Sequence, residues 1–127
     1  MMTRVQKLNA YFEAVRARRF APGSHDCALY VAGWVRVATG IDHAKQWRGR
    51  YTSLSNGDEM LKSEGFESHI ELAASILTEV PPALAQTGDL ASIGNAMGIF
   101  SSDRIFVLRS DGLATVSRLQ AQRAFTV

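Results

Sequence analysis

One cysteine, Cys27, and three histidines are all the chain offers in thiol or imidazole chemistry. A lone cysteine cannot close an intramolecular disulfide, and it excludes a cysteine-based zinc site. No His-X-X-X-His pair, carboxylate cluster or glycine-rich phosphate loop occurs, so the residues call for no metal and no cofactor. No apolar run approaches the ~20 residues that cross a bilayer, so no membrane span is expected. The first residues are polar and charged rather than a hydrophobic signal segment, so synthesis and folding in the cytoplasm are expected.

What remains is an ordinary globular composition. Of 127 residues, 46% are hydrophobic and 20% charged, which suits one domain over residues 1–127. A chain of this length buries about 65–70% of its unfolded surface and needs no staple. The net charge is +2, from 14 basic and 12 acidic residues. Arg16, Arg18 and Arg19 form one basic group, and Lys45, Arg48 and Arg50 another. With no nucleic-acid motif beside them, they read as two solvated surfaces, and no specific nucleic acid is expected as a partner.

The pattern changes midway along the chain. Val5, Leu8, Phe12 and Val15 recur at helical spacing and predict an amphipathic helix over 3–19. Pro22-Gly23 breaks it. A second helix is predicted over 26–39, stopped by Gly40. Its apolar residues (Leu29, Tyr30, Val31, Trp34, Val35, Val37) run almost all round, so it belongs in the middle of the domain. Residues 43–55 are irregular, and short helices follow near 57–64 and 68–78. After Pro81-Pro82 come strands at 90–93, 98–100, 105–108 and 113–117, with a hairpin signal at Ser110-Asp111-Gly112. One helical turn is expected within 118–124. Helices first and an antiparallel meander afterwards predict an α+β domain.

Cys27 heads the central helix, directly after Asp26. Asp is a favoured N-cap. A thiol at the positive end of the helix is expected to have a lowered pKa, as a nucleophile does. The plainer reading of Cys27 is a small buried hydrophobe. Asp26 reads first as a cap and second as a catalytic acid. His25 is close enough in sequence to be considered as a base, although an exposed loop histidine is the simpler reading. His43 and His69 read as isolated surface or packing residues. Asp89 reads as a turn residue, and Asp58-Glu59 as acids complementing a helix start. Trp47, Arg48, Arg50 and Tyr51 combine the residue types that enrich binding surfaces. The competing reading has the two aromatics closing the core while the arginines are solvated.

A cysteine in an Asp-Cys pair at the head of a buried helix, then a Gly-Asp turn opening a small antiparallel sheet, resembles the papain-like NlpC-type cell-wall peptidases. The chain is more similar still to short phage and prophage proteins that look like relatives of that group and are encoded among tail genes. The segments that carry this are Gly23–Ala28, Trp34–Gly40, Arg48–Tyr51, Gly88-Asp89, Gly98-Ile99 and Asp111-Gly112. The resemblance covers most of residues 20–127. It implies a papain-like layout, with N-terminal helices and a central Cys-bearing helix packed on a small antiparallel sheet. The peptidases carry their histidine in a His-X-Gly-Ile strand, and here Ala96 occupies that position. Two functions follow. One is a tail-associated protein, a tip component or assembly factor, whose peptidase-like fold has lost catalysis. Its partners would be other tail proteins, and its place the virion tail after synthesis in the host cytoplasm. The other is a cysteine hydrolase on peptidoglycan peptides that uses Cys27 with His25 and Asp26.

Overall fold

The computed structural model describes residues 1–127. Helix α1 (Arg4–Arg16) starts in a capping box: the Thr3 hydroxyl accepts from Gln6 N, and the Gln6 side chain accepts from Thr3 N. The helix buries Leu8, Phe12 and Val15. Val5, expected on the same stripe, is 51% exposed. The first turn is held by Arg4 instead, which donates to the carbonyls of Thr87 and Val127 and to Asp89 Oδ1.

Helix α2 (Cys27–Thr39) is capped by Asp26, whose Oδ1 accepts from Leu29 N at 3.0 Å. It ends at Gly40, whose φ of 82° an L side chain rarely adopts. Tyr30 and Trp34 are fully buried, and the Trp34 indole N–H donates to Gly88 O at 2.7 Å. The helix lies between α1 and strands β3 and β4 described below. Val37, expected in the apolar girdle, is exposed beside Arg36 in the last turn. Helix α3 (Leu54–Ser63) begins earlier than its apolar pattern suggests, because Ser53 caps it through Asn56 N. Helix α4 (His69–Ile76) is capped by Ser68.

Six strands form one antiparallel sheet: β1 (Glu79–Val80), β2 (Leu90–Ile93), β3 (Ala96–Ser101), β4 (Arg104–Arg109), β5 (Gly112–Ser117) and β6 (Arg123–Phe125). Their order is β1-β6-β2-β3-β4-β5. The meander β2 to β5 is the one its turns predict, with two-residue loops between Ile93 and Ala96, Ser101 and Arg104, and Arg109 and Gly112. Strands β1 and β6 lie outside the predicted sheet. They are two and three residues long, and β6 pairs back onto β2, with Phe125 opposite Leu90. The turn expected within 118–124 is a 3-10 turn at Arg118–Gln120.

Alternation along β3 divides the core. Met97 and Ile99 pack with Tyr30 and Trp34 of α2 and Phe12 of α1. Phe100 joins Ala91, Ile105, Val107 and Ala124 in a second cluster. Gly98 sits between, where a Cβ would lie 2.6 Å from Ile105 Cγ2 and 2.8 Å from Phe106 O. The Gly-Ile pair of the sequence is therefore a packing requirement. The molecule is an α+β domain, and no helix is long and apolar enough to cross a membrane.

Candidate functional site

Asp26 is the centre of a buried polar node. At 1% exposure, its carboxylate accepts from Gly23 N at 2.9 Å, from Leu29 N at 3.0 Å and from the Tyr51 hydroxyl at 2.5 Å. Gly49 N donates to Gly23 O at 2.8 Å. The backbones meet so closely that a Cβ on Gly23 would sit 2.0 Å from Tyr51 O, and its φ is 86°. The Gly-X-X-Asp-Cys start and the Arg-Gly-Arg-Tyr segment are thus two sides of one joint. Three donors of this joint converge on Asp26, which makes the residue a cap and a tie.

Asp89 is a second buried tie, beside the Gly88 carbonyl that accepts from Trp34. It is 5% exposed and accepts from Arg4, from Gln86 N at 2.8 Å and from Val127 N at 3.2 Å. The Gly-Asp turn therefore holds α1 and the last residue of the chain to the sheet, beyond the turn role its sequence suggests.

Cys27 is the first residue of α2 and is partly buried. The lowered thiol pKa expected of that position does not hold. Burial pushes it up, and the Asp26 charge adds to the rise. The backbone N–H groups of Ala28 and of Cys27 itself, which favour the thiolate, offset this only in part. The helix end is present, but desolvation outweighs it.

His25 is not the exposed loop histidine its position suggests. It is 2% exposed, pinned by a backbone bridge to Ala21, with the Val15 carbonyl at its ring. Burial lowers its pKa, as does the Arg18 charge. Its side chain packs against the end of α1, and it does not line the cavity that Cys27 faces.

Trp47 and Tyr51 close a small core with Leu29, Ala44 and Leu61. Arg48 makes a two-pronged pair with Asp42, at 3.1 Å for both contacts, and Arg50 is exposed. The four residues do not form one exposed aromatic-arginine surface, because the two rings turn inward and the two guanidiniums outward.

A cavity of about 450 Å³ opens beside Cys27, walled by α2, the 43–51 segment, α3, α4 and the turn from β2 to β3. Most of its lining is apolar, including Val31, Val35, Leu61, Leu72 and Met97. Its chemistry-bearing residues are Cys27, His43, Asp58, His69 and Asn95. His69 is the first residue of α4, and its Nε2 is buried with no hydrogen-bond partner. Burial lowers its pKa against the opposing charges of Asp58 and Asp26, which leaves the imidazole neutral at pH 7. Trp47 Nε1 is also buried and unpaired. From the sheet and its β2–β3 turn, Leu90, Asn95 and Met97 line the cavity and Ala96 does not.

From sequence, His69 and His43 read as isolated surface or packing residues and Asp58 as a helix-start acid, and Asn95 carries no signal. The sequence signal for His69 is the Ser68 cap, which fixes it at the head of a helix. That this head turns toward Cys27 is decided by tertiary packing. No group of three or more His, Cys, Asp or Glu residues is arranged to hold a metal ion.

Comparison with curated proteins finds no match. A family model described as "Domain of unknown function (DUF6950)" matches residues 3–127, nearly the whole chain, and the protein belongs to that family.

Proposed function

We propose that this protein is a tail-associated component of a phage or prophage, at the tail tip or as an assembly factor, in which a papain-like, NlpC-type layout serves binding rather than hydrolysis. The tail assignment rests on the sequence pattern from Gly23 to Gly112. The observation that carries the loss of catalysis is the surroundings of the Cys27 sulfur. No imidazole meets it: Ala96 stands at the strand position, His25 packs away against α1, and the Nε2 of His69 has no partner within hydrogen-bonding reach. A thiol kept protonated and without a base lacks the usual route to a nucleophile. Asp26, engaged in three hydrogen bonds, is not free to orient an imidazole.

The decisive measurement is the alkylation rate of Cys27 in the folded protein as a function of pH. A midpoint at ~8.5 or above supports the binding reading, and one at ~6–7 or below overturns it. In the phage, Cys27→Ser should preserve tail assembly and infectivity.

A second reading, a cysteine hydrolase on peptidoglycan peptides, is favoured by one observation. His69 presents an unpaired, neutral imidazole to the same cavity as Cys27. Cys27 would attack a carbonyl, His69 would take the thiol proton after a shift toward it, and the α2 N–H groups would hold the oxyanion. Release of peptidoglycan fragments by the wild-type protein, abolished in both Cys27→Ala and His69→Gln, would establish it.

A further inference from the structure

We infer that β5 is a docking edge for a second copy of this chain. Two β5 strands pair antiparallel about a two-fold axis at Thr115 and join two sheets into one. No residue of the Cys27 cavity takes part, so the pairing holds whether or not the thiol reacts.

The sheet has two edges, and only one is blunted. Folded sheets protect an exposed edge with charge, proline, a bulge or short length. Strand β1 is two residues long, carries Glu79 and runs into Pro81-Pro82. Strand β5 has none of these protections. Its six residues, Gly-Leu-Ala-Thr-Val-Ser, are uncharged and pair with β4 in unbroken register. None of them is fully buried.

The register shows which amides are free. Arg118 N donates to Asp103 O, which makes that pair, and every second pair from it, the hydrogen-bonded ones. The amides of Ala114 and Val116 therefore face β4, and those of Leu113, Thr115 and Ser117 face outward. One outward group is touched: Arg104 donates to Thr115 O at 3.3 Å and to the Thr115 hydroxyl at 3.2 Å. A carbonyl has two lone pairs, so this oxygen can still accept a second donor.

The strand is complementary to itself, which selects the occupant. With Thr115 opposite Thr115 of the second copy, Leu113 faces Ser117, and the outward amides of all three residues find partners. Thr–Thr is a favourable cross-strand pair. On the other face Ala114 and Val116, which pack on the Phe100 cluster, meet Val116 and Ala114 of the second copy and extend that cluster across the axis. Asp111 at the hairpin comes beside the strand end where the second copy carries Arg104, so opposite charges meet. A two-fold contact occupies both open edges and closes as a dimer instead of growing into a fibre.

Sedimentation equilibrium of the whole 127-residue protein should show a monomer–dimer equilibrium. Amide exchange followed by NMR locates the contact. Leu113, Thr115 and Ser117 should gain protection as concentration rises, while Ala114 and Val116 are protected throughout. Thr115→Pro removes an outward N–H and leaves the ladder to β4 whole. It should weaken the dimer more than about tenfold with little change in melting temperature. Thr115→Lys sets two like charges across the axis and should do the same. A wild type that stays monomeric to about 0.5 mM overturns the inference, whether the edge is then bare or takes a strand of another protein. So does a dimer that survives both substitutions, one whose outward amides exchange freely, or growth beyond two copies.

Discussion

Two polar regions flank the start of α2, and they are finished to different standards. At Asp26 three donors converge on one carboxylate across two loops and a helix end, although Nε2 of the neighbouring His25 is buried without a partner. Farther along the cavity that Asp26 and Tyr51 also line, Trp47 and His69 leave an indole N–H and an imidazole nitrogen buried without partners. A buried polar group without a partner costs on the order of 1–3 kcal/mol. The Asp26 carboxylate is thus finished as scaffold, and the imidazoles and the indole around it are not. The sequence motif that looks most like catalysis, Asp-Cys, belongs on its Asp side to the scaffold.

Four substitutions or conditions would break or sharpen that contrast. The largest effect is expected for Asp26→Ala. It strands the Tyr51 hydroxyl and two backbone N–H groups, and should cost about 3–5 kcal/mol in urea unfolding. A loss below ~1 kcal/mol would mean the node is not structural. Tyr51→Phe removes one of those three bonds, so about 1–2 kcal/mol is expected by the same assay. Trp47→Phe loses no hydrogen bond, because the indole N–H has no partner. It loses only part of the ring's packing against Leu29, Ala44 and Leu61, so about 1 kcal/mol or less is expected. A cost above that of Tyr51→Phe would erase the distinction between the two regions.

The gentlest probe is pH. His25 and His69 both hold folded pKa values below the ordinary 6.5. The unfolded chain therefore binds protons first as pH falls, and stability should decline below about pH 6.5. Cys27 acts at the other end. Its folded pKa lies above the ordinary 9.0, so the unfolded thiol ionises first and stability should decline as pH rises past that value. Thermal melts of wild type, His25→Gln and His69→Gln between pH 5 and 7 check the acid arm. If neither variant flattens it, the two imidazoles are not its source.

Local signals made much of this legible. Asp before an apolar run announced the cap of α2, Gly40 its end, and three turns the β2–β5 meander. These features depend on residues a few positions apart. What sequence could not supply depends on distant partners. Tyr51 reaches Asp26 from an irregular segment with no periodicity. Strands β1 and β6 are too short to have a pattern, and exist because β2 offers an open edge. His25 looks like a loop residue until α1 packs over it. Ala96 holds the position that the resemblance gives to a histidine, yet Leu90, Asn95 and Met97 are the residues that face the cavity from the sheet. The thiol pKa departs from its sequence expectation for a related reason. A helix end can be read from sequence, whereas the burial that outweighs it cannot.

The placement of β6 between β1 and β2 sets a schedule for synthesis. Residues 90–117 can zip into their meander as they leave the ribosome, but one side of β2 stays bare until Arg123–Phe125 follows. During that interval the nascent sheet presents a row of unpaired amides, the kind of edge that recruits other chains. A three-residue strand thus decides whether the growing polypeptide closes on itself or on its neighbours, and loss of those residues should show first as aggregation during expression.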